Sequence, residues 1–161
     1  YYGFNLSASY KGFDFSALFQ GLGGYQRQIG SYMAYAFYNG GQIQRWQAEN
    51  CWTKENPDKW AEYPRIETMN MNHPNLQTSD YWVRNASFLR LKNLQLGYTL
   101  PQAWTKKIGI EKLRVYVSGQ NLFSFNSFYQ GWDPENEIGT GDSPSYYPIT
   151  AIYSFGFNFK F

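Results

Sequence analysis

Apolar and polar residues alternate with a period of two in five separate stretches of this chain, and no other feature restricts the fold as strongly. From Tyr2 to Tyr10 the even positions are Tyr2, Phe4, Leu6, Ala8 and Tyr10, and the odd ones are Gly3, Asn5, Ser7 and Ser9. From Phe13 to Gln20 the set Phe13, Phe15, Ala17 and Phe19 stands opposite Asp14, Ser16, Leu18 and Gln20. Successive side chains of a strand point to opposite faces, so each stretch predicts a strand with one apolar face. Lys11-Gly12 between them reads as a two-residue hairpin turn. Across such a turn Tyr10 pairs with Phe13, and both are aromatic. The two strands therefore agree on which face is apolar.

The same pattern returns three times. Leu94, Leu96, Tyr98 and Leu100 alternate with Asn93, Gln95, Gly97 and Thr99. Just before them Leu89 and Leu91 alternate with Arg90 and Lys92, so the phase flips at Lys92-Asn93. A bulge does this, and so does a strand end that rises above the lipid. Leu113, Val115, Val117, Gly119, Asn121, Phe123 and Phe125 form one face of the fourth stretch. In the last stretch Tyr153, Phe155, Phe157, Phe159 and Phe161 are all aromatic, opposite Ile152, Ser154, Gly156, Asn158 and Lys160. Strands are thus expected at about 2–10, 13–22, 87–100, 112–125 and 150–161.

The connections alternate in length. Lys11-Gly12 is a tight turn, about 23–86 a long loop, Pro101–Lys112 a medium turn, and about 126–149 a second long loop. The Gly21–Ala86 region has no sustained alternation and is roughly 65 residues long, far above the usual connection. Short helices are expected within Ser31–Tyr38 and Gln42–Asn50, and a helical turn within Gln102–Lys107. Strict alternation of short and long connections is the habit of an outer-membrane barrel, with short periplasmic turns and long extracellular loops. If the C-terminus is periplasmic, every length falls on the proper side. A soluble sheet needs another cover for its apolar face. Hiding each such side chain is worth roughly 1.5–3 kcal/mol, and two short polar helices cannot supply that. Lipid can. The expected fold is therefore all-β, an antiparallel segment of a transmembrane β-barrel with long extracellular loops.

Composition agrees and excludes other classes. Aromatic residues are 21% of the 161 residues and charged residues only 16%. The formal net charge is +2, too small for a nucleic-acid partner. One cysteine, Cys51, and one histidine, His73, leave no disulfide framework, no Cys-rich zinc site and no His-centred triad. No apolar run reaches the length of a membrane helix. No nucleophile–base pair is visible, so no enzyme and no cofactor is expected. The first residue is Tyr1, which suggests a piece of a longer chain. Asp133, Glu135, Glu137 and Asp142 lack the spacing of an EF-hand, and a solvated turn is the simpler account than calcium. Trp46, Trp52, Trp60, Tyr146 and Tyr147 are suited to stacking on sugar rings, to loop packing or to contact with a partner. Gly21–Gly24 lacks the lysine of a phosphate loop. Asp14, Arg90, Lys92, Arg114 and Lys160 are candidates for a lumen-facing charge set.

Two sets of motifs carry a resemblance. Ser154-Phe155-Gly156-Phe157-Asn158-Phe159-Lys160-Phe161 resembles the assembly signal of bacterial outer-membrane proteins. Ser154, Gly156, Phe159 and Phe161 match it, which implies a transient partner in the barrel assembly machinery. The second set is wider. Ser87-Phe88-Leu89-Arg90-Leu91-Lys92-Asn93 with Leu96-Gly97-Tyr98-Thr99-Leu100-Pro101 resembles the "YLRLKN…LGYTLP" signature of SusC/RagA-type TonB-dependent transporters of Bacteroidota. Arg114–Phe123 is similar to that family's next strand, and Gly131-Trp132-Asp133-Pro134-Glu135 to its "GxDPE" loop. Trp52–Pro57 with Tyr63-Pro64-Arg65 is similar to its "WTxENP…YPR" loop. Phe88 departs from the usual Tyr, and Asp58–Glu62 lengthens the loop.

The resemblance implies the last five strands of a roughly 22-stranded barrel whose N-terminal plug lies outside this chain. It implies import of oligosaccharides or peptides, energy delivered through TonB by the missing N-terminal part, and a SusD-like surface lipoprotein as lid. Trp46, Trp52, Trp132, Asp133 and Tyr146 become candidate extracellular contacts. A scaffold role in an outer-membrane assembly is the alternative, and a soluble carbohydrate-binding module a third.

Overall fold

The computed structural model describes residues 1–68, 72–129, 131–136 and 149–161. In chain order the elements are β1 (Tyr2–Tyr10), β2 (Phe13–Leu22), β3 (Gln26–Gln28), α1 (Ser31–Ala34), α2 (Arg45–Glu49), β4 (Val83–Asn85), β5 (Phe88–Thr99), α3 (Gln102–Thr105), β6 (Lys112–Asn126) and β7 (Ile152–Lys160). They fall into two compact units. One includes Tyr1–Tyr25, Asn85–Asn136 and the last strand, and the other includes Gln26–Arg84.

The first unit is a five-stranded antiparallel sheet in the order β1-β2-β5-β6-β7. Lys11 and Gly12 both take left-handed φ, 47° and 89°, which makes the β1–β2 connection a type I′ turn. That turn matches the right-handed twist of the strands it joins and sets Tyr10 opposite Phe13. From there the register runs across all five strands. Ser7, Ser16, Gln95, Ser118 and Ser154 form one row of partners, and Ala8, Phe15, Leu96, Val117 and Phe155 form the next. Neighbouring rows point to opposite faces. One face is therefore mainly polar, with Leu18 and Ile152 as apolar members, and the other mainly apolar. The apolar face is exposed: Phe155 keeps 71% of its surface, Phe157 58% and Val117 51%. No helix among the described residues is long and apolar enough to cross a membrane. An antiparallel sheet with an uncovered apolar face and a polar, charged opposite face is a barrel wall.

The phase flip at Lys92-Asn93 is a bulge. Leu18 pairs with Asn93 and Phe19 with Leu91, so Lys92 is the extra residue against β2. On the other side Leu91 pairs with Phe123 and Asn93 with Gln120, so β6 carries one extra residue there, where Asn121 has φ 51°. The simple alternation read for Leu113–Phe125 is thus interrupted at Asn121. The bulges leave Leu89 and Leu91 on the apolar face and turn Arg90 and Lys92 to the polar one. Sequence periodicity cannot separate a bulge from a strand end, because both break the phase alike.

The second unit has a core of its own. Ile29, Met33, Ala34, Tyr35, Ala36, Tyr63 and Trp82 are buried, and so is Gln47. Trp82, 1% exposed, meets the rings of Tyr35, Tyr63 and Tyr81 edge-on. Two short strands, β3 and β4, pair beside it. Three residues are too few for alternation to register, which is why periodicity shows no strand there. The expected Ser31–Tyr38 helix is one turn only, α1. Tyr35 is already extended, with φ −98° and ψ 124°, because the Tyr63 hydroxyl takes over the backbone bonding of this segment. It donates to Ala34 O at 2.9 Å and accepts from Ala36 N at 2.9 Å. The Gln42–Asn50 expectation shortens to α2, closed at its start by a reciprocal pair between Gln44 and Gln47.

Candidate functional site

Charge is concentrated on the polar face of the sheet in two clusters. In the first, Arg114 on β6 reaches over β5 to Asp14 on β2. Its Nε donates to Asp14 Oδ2 at 2.8 Å and its Nη2 to Asp14 Oδ1, a bidentate fork. Nη2 also donates to Gln95 Oε1 at 3.1 Å. The strand between them is crossed at Gly97, the register partner of Asp14. A Cβ at Gly97 would collide with both the guanidinium and the carboxylate. The glycine is the gap through which two non-adjacent strands are bridged. The Arg114 guanidinium also lies 4.9 Å from the centre of the Tyr116 ring, and that ring covers Gly156 of β7.

The second cluster ties the Gly131–Glu135 turn to β5. Arg90 is only 3% exposed although it is charged. Its Nη2 donates to both carboxylate oxygens of Asp133 at 2.6 Å. Its Nε lies 3.0 Å from Glu135 Oε2, at an angle that makes this an ion contact rather than a hydrogen bond. Glu135 Oε1 accepts from Lys92 Nζ, and Asp133 Oδ1 accepts from Glu135 N at 2.9 Å. Two cations and two anions balance. Removing one member of such a buried set leaves an uncompensated charge and costs about 3–5 kcal/mol. The expectation of a solvated turn at Asp133 and Glu135 is corrected here: Asp133 is largely buried and its oxygens are taken by Arg90. Glu137 and Asp142 lie outside the described residues. Among the described residues no group of acids, cysteines and histidines is arranged to hold a metal.

The sequence singled out Arg90, Lys92, Arg114 and Asp14 one by one as lumen charges. It did not show that they pair, nor with what. Arg90 and Asp133 are 43 positions apart and Arg114 and Asp14 are 100 apart, so only the register brings them together. The signal that was available is that both halves of the Arg90–Asp133 pair sit inside recognisable motifs. Lys160 does not join this set. It pairs with Glu111 at 2.7 Å, and both side chains are exposed.

Ser154, Gly156 and Phe159 lie on β7, and Phe161 just beyond it. Phe159 stacks with Phe157 and meets Phe161 edge-on, all three exposed. Gly156 has a packing reason of its own, since a side chain there would strike the Tyr116 ring. Trp46 and Trp52 are half-buried in the second unit. Trp46 Nε1 donates to Gln44 Oε1 at 2.7 Å and its ring meets Tyr63 edge-on. Trp52 lines an open groove of about 530 Å³ together with Lys59, Tyr63, Arg65, His73 and Tyr81. Trp60 is 79% exposed beside Lys59. Trp132 is half-buried, and Tyr146 and Tyr147 lie outside the described residues. Burial pushes the Tyr81 hydroxyl up to about 12, and raises Tyr63 and Tyr35 as well. These are packing phenols, not acid–base groups at neutral pH.

A wall of paired charges beneath an aromatic outer face is the arrangement of a barrel lumen, and the comparisons with known proteins agree. No family model matches the chain. The TonB-dependent receptor P3 of Formosa agariphila is 32% identical over 170 residues, covering 99% of this chain and 16% of that protein. The TonB-dependent receptor SusC of Bacteroides thetaiotaomicron is 38% identical over 85 residues, covering 52% of this chain and 8% of that one. Among solved structures, the RagAB peptide importer in its closed-closed state aligns with a TM-score of 0.70 and 30% identity, over 96% of this chain and 16% of that one. The chain belongs to the SusC/RagA-type TonB-dependent receptors. It spans about a sixth of the length of the curated relatives it matches, 16% and 17% for the first two. The match to TonB-dependent receptors extends over both units, since 99% of the chain aligns with P3. The long Gln26–Arg84 segment is therefore a feature shared with these receptors and not an insertion peculiar to this chain.

Proposed function

We propose that this chain is the C-terminal wall of an outer-membrane transporter that imports oligosaccharides or peptides, driven through TonB and covered by a SusD-like lipoprotein. One observation carries the reading. One apolar face is shared by five antiparallel strands and is exposed over much of its area, with Ala17 and Leu91 buried among their neighbours, while the opposite face holds buried, balanced ion pairs. Lipid suits the first face and a water-filled lumen the second. Phe15, Phe19, Leu96, Tyr98, Phe155 and Phe157 then face lipid, and Ser7, Ser16, Gln95, Ser118 and Asn158 the lumen.

In this reading the Lys11-Gly12 turn and the Pro101–Lys112 connector are periplasmic, as is the C-terminus. The Gln26–Arg84 unit and the Gly131–Glu135 turn are extracellular. The groove beside Trp52 and the exposed Trp60 are the surfaces offered to cargo or to the lipoprotein. Ser154, Gly156, Phe159 and Phe161 serve as the signal for the barrel assembly machinery.

The test uses the full-length receptor in its own host. Deleting it should abolish uptake of a labelled oligosaccharide or peptide pool, and so should uncoupling TonB. A SusD-like lipoprotein should co-purify with the receptor. Unchanged uptake of both pools, with surface lipoproteins lost instead, would overturn transport in favour of a scaffold.

A further inference from the structure

The lysines of this chain are not spread evenly over the sheet. Lys11 lies in the β1–β2 turn, Lys106 and Lys107 in the β5–β6 connector, and Lys112 at the start of β6; all four are exposed. Backbone hydrogen bonds join these connections at one end of the sheet. Thr99 N donates to Gly12 O at 2.7 Å, Leu100 N to Leu113 O at 2.9 Å, and Glu111 N to Lys160 O at 2.8 Å. The two acids of this end are already engaged, Asp14 by Arg114 and Glu111 by Lys160. Lys112 also lies within electrostatic reach of Asp14. Among the described residues, Lys11, Lys106, Lys107, Lys112, Arg114 and Lys160 against Asp14 and Glu111 leave this end with an excess of positive charge.

Two further features sit at the same end. Trp104 is 64% exposed, although the next residue, Thr105, is buried and ties the connector down by accepting from Ile110 N at 3.1 Å. The apolar face also finishes here in an aromatic row. Tyr10, Phe13, Tyr98 and Phe157 are linked through the register, with Val115 between the last two. Lys11 Nζ stands 5.2 Å from the centre of the Tyr10 ring. An aromatic row, then an exposed tryptophan, then a belt of lysines is the chemical order of an acyl-chain boundary followed by phosphate headgroups.

We propose that this turn end is a site for anionic phospholipid, in which Lys11, Lys106, Lys107 and Lys112 hold the phosphates and Trp104 anchors at the headgroup level. The inference rests on the membrane reading of the sheet and adds lipid selectivity to it. A lysine near an anionic surface is worth about fivefold in occupancy and is screened by salt. Zwitterionic lipid offers no net charge to the belt.

The test reconstitutes the full-length receptor into nanodiscs of phosphatidylcholine carrying a minority of phosphatidylglycerol. The lipid retained after detergent extraction is then quantified. Phosphatidylglycerol should be enriched about fivefold over its share, and high salt should remove the enrichment from the wild type. Lys106→Gln with Lys107→Gln should lower it several-fold; both lie in an exposed connector outside the strands. Trp104 emission, taken as the difference from Trp104→Phe, should be quenched by brominated phosphatidylglycerol more than by brominated phosphatidylcholine. Equal retention of the two lipids, insensitive to salt, would overturn the proposal. If the receptor still inserts and its fluorescence is quenched by brominated phosphatidylcholine, the barrel reading survives that failure. If it does not insert, both fail together.

Discussion

The Tyr63 hydroxyl is a single atom group on which the second unit depends, and Tyr63→Phe isolates it. The ring stays, with its edge-on contacts to Trp46 and Trp82. What goes is the oxygen that accepts from Ala36 N and donates to Ala34 O, both at 2.9 Å. Ala34 O keeps a second donor, Gln47 Nε2 at 3.1 Å. Ala36 N is buried and is left without its acceptor. An orphaned buried N–H costs about 1–3 kcal/mol, so the expected loss is about 2 kcal/mol. At 1.4 kcal/mol per tenfold, that is a rise of roughly 30-fold in the local opening constant. Hydrogen–deuterium exchange of the full-length receptor reads it directly, in peptides that span Met33–Tyr38 and Tyr81–Asn85. Exchange in β6 should not move, because the bond lies wholly within the second unit. A change below about twofold in the Met33–Tyr38 peptide would refute the reasoning that this hydroxyl, and not the aromatic packing alone, fixes the turn after α1.

Three other outcomes are expected. Burial raises Tyr35 and Tyr63 and takes Tyr81 to about 12, so the folded unit holds protons that the unfolded chain releases near 10. That stability is fully present below pH 10 and is lost as pH rises through about 12, which tyrosinate absorbance followed alongside exchange in the Gln26–Arg84 region will show. Gly97→Ala should break the Asp14–Arg114 fork at a cost of about 1–3 kcal/mol, read as a lower thermal midpoint of the folded barrel; an unchanged midpoint would mean that the bridge re-forms around the methyl. Deleting Phe161 should reduce the amount of folded receptor in the outer membrane and leave uptake per folded molecule nearly unchanged. Normal assembly of that deletion would remove the terminal phenylalanine from the assembly signal.

Much of the sheet was legible in the residues because a strand writes its faces into the chain at a period of two. Tyr2–Tyr10 and Phe155–Phe161 each display an aromatic face without reference to any partner, and Lys11-Gly12 announces its turn through the left-handed conformation that glycine allows. The two recognisable motifs around Arg90 and Asp133 were likewise visible as separate strings. What the chain alone did not decide is everything that depends on which residue stands opposite which. Gly97 reads as one more small residue on a polar face until β2, β5 and β6 are in register, and then it is the gap through which Arg114 reaches Asp14. Lys92 breaks an alternation that either a bulge or a strand end would break, and the pairing with β2 and β6 selects the bulge. In the Gln26–Arg84 unit the helix expected to reach Tyr38 stops after one turn, because Tyr63, nearly thirty residues away, supplies the hydrogen bonds that further helix would have made. Local propensity is a property of neighbours in sequence. Bridges, bulges and truncated helices are set by neighbours in space, which exist only once the fold has brought them together.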